Sequence, residues 1–226
     1  MTLPAGLSLS LGSQLINLCA AVMLLLGFAM LAQRRILSLI NLFMMQGMTL
    51  FASTLIVAST TGQSDLYVSA GMTLAFKVVA LPWILHRLIR KLSVKWDIET
   101  ILNIPTTMLF GIALVVIAFN VAQPISQLSG TIMRATIGIA LACILLSFLM
   151  MITRSKAVPQ AIAFLSMENS LFFAATSATY GMPMVVEIGV LFDLMVGMVV
   201  FGVSFFQIRQ QFDSLDIRKM ERIKEE

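Results

Sequence analysis

The sequence predicts an all-α protein, a seven-helix transmembrane bundle built as two parallel three-helix repeats joined by a linker helix. Three observations predict it. The chain is 226 residues long, 59% hydrophobic and only 12% charged, whereas a soluble domain is usually about 25% charged. Its apolar residues fall in seven runs of spanning length separated by polar or turn residues. Its basic residues, read against those runs, sort to one side of a membrane. At roughly 20 apolar residues per span, no length is left for a soluble domain.

In chain order, the spans are expected at 13–32, 36–59, 66–89, 104–122, 131–153, 158–180 and 183–208. Turn chemistry supports the cuts at Thr61-Gly62-Gln63-Ser64, at Gln123-Pro124 with Ser129-Gly130, and at Gly181-Met182-Pro183. The first repeat is placed at 1–92, the linker segment with the fourth span at 93–130, the second repeat at 131–208 and a tail at 209–226. Nothing at the N-terminus resembles a cleaved signal, since no basic stretch precedes the first apolar run. The tail mixes both charge signs and can form a helix carrying Leu215, Ile217, Met220 and Ile223.

Charge sets the orientation. Arg34 and Arg35 follow span one; Arg87, Arg90, Lys91 and Lys95 close span three; Arg154 and Lys156 follow span five; the remaining surface cations follow span seven. With seven spans, all of the 15 Lys and Arg except Lys77 and Arg134 fall on one side. That side is expected to be cytoplasmic, with the N-terminus outside, in a cell (inner) membrane. A count of six or eight would scatter them. The net charge of +4 is therefore a membrane-orientation signal, and no nucleic-acid partner is expected.

Lys77, Glu168 and Asp193 stand near the midpoints of spans three, six and seven, and Gln46 at a similar depth in span two. Each charge at a helix centre costs about 2.5–3.5 kcal/mol on insertion scales, so a row of three needs a reason. Two readings stay open: interhelical pairs that fix packing, or a proton or ion relay. In general, burial moves carboxyl and amino groups toward neutrality and an opposite charge pulls them back. Groups held between those terms change protonation state when a neighbour does. Glu187 lies near the outer end of span seven, about 240° around the helix from Asp193 at about 100° per residue. It is a candidate outer mouth or a packing contact. Arg134, near the outer end of span five, is placed to snorkel to the headgroups.

Shifting the sequence by 122 residues puts Gln46 on Glu168 and Arg34 on Lys156. Met45, Phe51, Ala52 and Thr54 then match Met167, Phe173, Ala174 and Thr176. Lys77 corresponds to Asp193 once a six-residue excess in the first half is allowed. Both halves enter from one side, and parallel repeats of three spans need an extra span between them. Span four supplies it.

Glu168 sits in Phe164-Leu165-Ser166-Met167-Glu168-Asn169, and Asp193 ends Val186-Glu187-Ile188-Gly189-Val190-Leu191-Phe192-Asp193. These segments resemble the hydrogenase-4 component E family, with its Met-Glu-Asn segment, Val-Glu-Ile-Gly segment and following Asp. Spans five to seven are similar, more distantly, to the three-helix K subunit of complex I (4L in mitochondria), with Glu168 at the first of its two membrane carboxylates and Asp193 at the second. Gln46 and Lys77 stand where carboxylates would be expected in the first copy. The resemblance implies a non-catalytic membrane subunit of a complex-I-related, membrane-bound hydrogenase or quinone-reductase-type oxidoreductase. Such a subunit contributes mid-membrane charge to coupled proton or sodium movement. It sits among antiporter-like and other membrane subunits, with hydrophilic redox subunits on the cytoplasmic side.

No cofactor or metal site is expected in this chain. Cys19 and Cys143 both lie inside apolar runs, which reads as buried thiols. There is no Cys cluster for iron–sulfur ligation, no Gly-rich nucleotide loop, and a single histidine, His86, at an interface. A freestanding ion transporter and a purely structural adaptor are the other functions compatible with the pattern.

Overall fold

A computed structural model describes residues 5–62, 64–92, 102–127, 133–179 and Gly202. Every element among them is helical: α1 (Ala5–Ala32), α2 (Ile36–Thr61), α3 (Ser64–Thr73), a π-helical segment (Leu74–Ala80), α4 (Leu81–Leu92), α5 (Ile104–Gln127), α6 (Met133–Thr153) and α7 (Ala157–Thr179). The third, π and fourth segments follow one another without a break, so the described chain forms six rods. Five of them are long and apolar enough to cross a membrane. The sixth, α7, has Gln160, Ser166, Glu168, Asn169 and Ser170 among its 23 residues. The expected seventh span and the tail lie outside the described residues, apart from Gly202.

Local chemistry sets most of the ends. Gly62 takes the left-handed conformation (φ 69°), and its N–H donates to the Ala58 carbonyl at 2.9 Å, closing α2. Pro105 and Pro159 fall in the first turns of α5 and α7, where a backbone N–H has no intrahelical partner to lose. One expected cut is corrected: Gln123-Pro124 is not a turn, since α5 continues through Pro124 to Gln127. A proline this near a helix end removes one hydrogen bond and leaves less than a turn beyond it, so nothing forces the chain to change direction.

Pro82 has a different effect. It lacks the N–H that the Val78 carbonyl would meet in an α-helix, and its ring crowds that carbonyl. The chain meets this by widening to a π-helix over Leu74–Ala80 and restarting as α-helix at Leu81, which puts Pro82 in a first turn.

The packing is antiparallel between neighbours in sequence and parallel between α1 and α6. A methyl placed on Gly12 would meet Thr60, pairing the start of α1 with the end of α2. Gly27 faces Leu146, and the Arg154 side chain reaches the Met30 and Leu31 carbonyls, so α1 and α6 run the same way. Gly111 faces Leu146, and Gly138 faces Phe119 and Ala122, so α5 and α6 run oppositely.

The buried apolar residues form layers. One cluster, including Met30, Leu31, Ile36, Phe43, Leu85, Met150 and Ile162, fills the end at which α1 hands over to α2 and α6 to α7. A second joins Ala20, Met23, Leu50, Ala140, Cys143, Phe172 and Phe173. A third, of Val57, Ala58 and Leu66, lies near the far end of α2. The outside carries large apolar side chains, among them Leu18, Leu25, Leu109, Ile112, Val116 and Ile152, as expected where lipid is the solvent. Cys19 and Cys143 are unpaired thiols, Cys143 buried and Cys19 half-buried.

Helix α5 is the most peripheral of the five. It meets its neighbours through a seam of Thr107, Gly111, Ala118 and Ala122, small residues that allow close approach where lipid provides no hydrophobic drive. A Cβ on Gly111 would lie 3.1 Å from both Leu146 and Phe28 and 3.3 Å from Leu31. Gly111→Leu is therefore expected to destabilise the bundle by about 1–3 kcal/mol through overpacking. Thermal unfolding of the purified protein in detergent checks this, and a midpoint equal to that of the parent chain would contradict it.

Candidate functional site

Between the first and second apolar clusters, three helices turn polar at one level. In α2, Gln46 lies between Phe43 and Leu50; in α7, Glu168 and Asn169 lie between Leu165 and Phe172; Lys77 comes from the π segment. A soluble protein could let such side chains reach water. Here Gln46 and Asn169 are fully buried and Lys77 is 1% exposed.

Gly47 brings the π segment close. A Cβ there would be 3.4 Å from Val78 and 3.5 Å from the Lys77 carbonyl oxygen, so the two backbones run nearly in contact. From this position Lys77 Nζ donates to Glu168 Oε1 at 2.6 Å. The same ammonium lies 4.9 Å from the centroid of Phe172, one helical turn after Glu168, where the ring face adds cation–π attraction. Among the described residues Lys77 thus meets Glu168; Asp193, the other carboxylate the sequence offers it, lies outside them.

The layer continues sideways. Asn169 Nδ2 donates to Gln46 Oε1 over a long 3.5 Å, joining α7 to α2. Ser147 and Ser166 hydroxyls meet at 3.0 Å between α6 and α7, and Ser170 donates to the Ser166 carbonyl at 2.9 Å. Three buried atoms of the layer make no hydrogen bond among the described residues: Glu168 Oε2, Gln46 Nε2 and Asn169 Oδ1. Buried polar atoms are usually satisfied, which sets this run of three at one level apart from the rest of the interior.

Of the expected site residues, the structure brings Lys77, Glu168 and Gln46 into one layer. Asp193 and Glu187 lie outside the described residues. Arg134 stands in the first turn of α6. Sequence reasoning did not place Asn169 or Phe172 in the site. The signal for Phe172 was its i+4 spacing from Glu168.

It also left Arg154 as one basic residue among those beside the spans. The structure buries it to 1% exposure. Its Nη2 donates to the Leu31 carbonyl at 2.8 Å and the Met30 carbonyl at 3.1 Å. These are among the last carbonyls of α1, which lack the regular i+4 donor and carry the negative end of the helix dipole; the Met30 carbonyl also accepts the Gln33 N–H at 3.3 Å. Gln160 Nε2 in turn donates to the Arg154 carbonyl at 2.8 Å. Burial pushes the guanidinium pKa down to about 10, so the group is still charged at neutral pH. His86 donates from Nδ1 to the Pro82 carbonyl at 2.9 Å, and Arg87 stacks over Trp83 at 5.4 Å.

No family profile matches the chain, and no solved structure does. The chain is similar along nearly its whole length to an uncharacterized protein, Rv0085, of Mycobacterium tuberculosis: 26% identical over 214 residues, covering 94% of this chain and 97% of that one.

Proposed function

We propose that this chain is a non-catalytic, multi-pass membrane subunit of a complex-I-related hydrogenase or oxidoreductase, similar to the hydrogenase-4 component E family. In this reading it relays protons, or sodium, laterally through the middle of the membrane, while redox chemistry occurs in partner subunits at the basic, cytoplasmic end. The single observation that carries it is the buried Lys77–Glu168 pair set in a polar layer crossing three helices.

The chemistry follows from that layer. A proton taken up by Glu168 cancels its attraction for the Lys77 ammonium, which then favours another acceptor. Loss of the proton restores the pair. Because Glu168 Oε2, Asn169 Oδ1 and Gln46 Nε2 make no hydrogen bond among the described residues, the two oxygens can accept and the amide nitrogen can donate one without first breaking another. Asp193 in span seven is the proposed next carboxylate.

The proposed seven spans and parallel repeats rest on the charge asymmetry and the 122-residue offset. The way the helices pair supports them. Arg154 meets carbonyls 123 and 124 residues earlier, and Asn169 meets Gln46 123 residues earlier. Contacts between near-equivalent positions are what two parallel copies facing each other across a common axis would make. The proposed orientation keeps the N-terminus outside and the C-terminus cytoplasmic.

In the intact complex, Glu168→Gln and Asp193→Asn are each expected to leave redox activity with an artificial acceptor unchanged and to lower coupled ion movement. Ion uptake by reconstituted vesicles measures it; pumping at the parent rate in both variants removes the relay. The pair also favours a second reading, a structural adaptor in which Lys77 and Glu168 only hold α7 to the π segment.

A further inference from the structure

A groove of about 880 Å³ opens on the outside of the bundle between α2 and α4, lined by Asn41, Met44, Val79, Trp83, His86 and Arg87 among others. It runs along the helix that carries Lys77 and is separate from the polar layer. We propose that it is a binding site for one anionic phospholipid of the leaflet at the basic end. This rests on the multi-pass membrane reading and not on the ion relay.

Depth is the first argument. Arg87 is ten residues after the mid-membrane Lys77, about 15 Å at about 1.5 Å per residue, which is half of a hydrocarbon core about 30 Å thick. Arg87 and His86 therefore stand at headgroup level, while Val79 and Met44 stand at acyl-chain level. Trp83 lies between them and is 61% exposed, at the depth where amphipathic rings collect.

Charge is the second. Arg90 and Lys91 follow Arg87 at three- and four-residue spacing in the same helix, and among the described residues no Asp or Glu lines the groove. The groove thus reads, from the membrane middle outward, as apolar, aromatic and then cationic. That order complements a lipid with a negatively charged phosphate and no compensating amine. Each basic side chain near an anionic surface favours such a lipid by about fivefold.

Trp83 and Trp96 are the two tryptophans of the chain, so Trp96→Phe leaves Trp83 as the only emitter. The full-length Trp96→Phe protein is reconstituted into phosphatidylcholine vesicles containing increasing amounts of either brominated phosphatidylglycerol or brominated phosphatidylcholine. Brominated phosphatidylglycerol is expected to quench Trp83 half-maximally at a mole fraction about fivefold lower or less. Arg87→Gln should shift that midpoint back by about fivefold, and Arg87→Gln/Arg90→Gln/Lys91→Gln should make the two lipids equal. Equal quenching in the parent overturns the proposal, as does a preference that survives the triple change. Failure of either lipid to quench also overturns it, because a protein surface then covers the groove. If Trp96→Phe does not fold, native mass spectrometry of the unaltered chain, counting retained phosphatidylglycerol against phosphatidylcholine, gives the same comparison.

Discussion

Lys77→Met is expected to lose about 3–5 kcal/mol of stability, the usual cost of removing one partner of a buried ion pair. Methionine fills nearly the same volume, so the loss comes from the charge. Glu168 is left in a layer where Lys77 was its ion-pair partner at 2.6 Å, and Phe172 loses the cation over its ring. A buried pair replaced whole by apolar side chains is often neutral or stabilising, so Lys77→Met/Glu168→Met should recover most of what the single change loses. Thermal unfolding of both variants in detergent gives the comparison. A single variant as stable as the parent would mean that the pair contributes nothing.

The double variant also separates the two functional readings. If Lys77 and Glu168 only hold helices together, an apolar replacement that restores stability restores ion coupling in the intact complex. If they relay protons, the restored fold remains uncoupled, because no titratable group is left at that position. Stability and coupling should therefore part company in this one protein.

Arg154→Met is expected to lose about 2–3 kcal/mol, the second large effect. Two hydrogen bonds from a charged donor are worth about 1.5–3 kcal/mol each, and the Met30 and Leu31 carbonyls would be left without that donor. Against this, the buried guanidinium has Nε and Nη1 without hydrogen-bond partners among the described residues, a cost that the substitution removes. The capping term wins because it satisfies the end of a helix, where several carbonyls share the negative end of the dipole. Arg154→Lys keeps the charge but replaces a planar fork by a point donor on a shorter stem, so it should recover no more than half. The fall in unfolding midpoint across the two variants measures both terms; a midpoint unchanged by Arg154→Met would show that the α1 end needs no cap.

The helices themselves were readable. The expected ends at residue 32 and residue 153 and the starts at residues 36 and 104 coincide with those of α1, α6, α2 and α5. At these places the chain passes from apolar runs to Gln33-Arg34-Arg35, Arg154-Ser155-Lys156 or Asn103, residues that a lipid-solvated helix excludes. That Gln46, Lys77 and Glu168 share one level was equally readable, because position along a helix is counted at a fixed rise per residue. Where proline was concerned, the residue type did not suffice. Pro124 was absorbed near a helix end, while Pro82 changed the helix type over Leu74–Ala80. The difference lies in how much packed helix continues beyond each ring.

By itself, then, the sequence determined the helical class, the spacing of the apolar helices and the common level of Gln46, Lys77 and Glu168, since each follows from composition and from distance along one helix. Only the tertiary structure decided who meets whom. Lys77 faces Glu168 because Gly47 lets the π segment close on α2, and Arg154 turns inward because the end of α1 lies beside it. Both acceptors are far away in sequence, 91 residues for Glu168 and 123 for Leu31. Rotation about each helix axis and the choice of neighbour are set by how side chains of different helices fit together, and no pattern along a single helix encodes that fit.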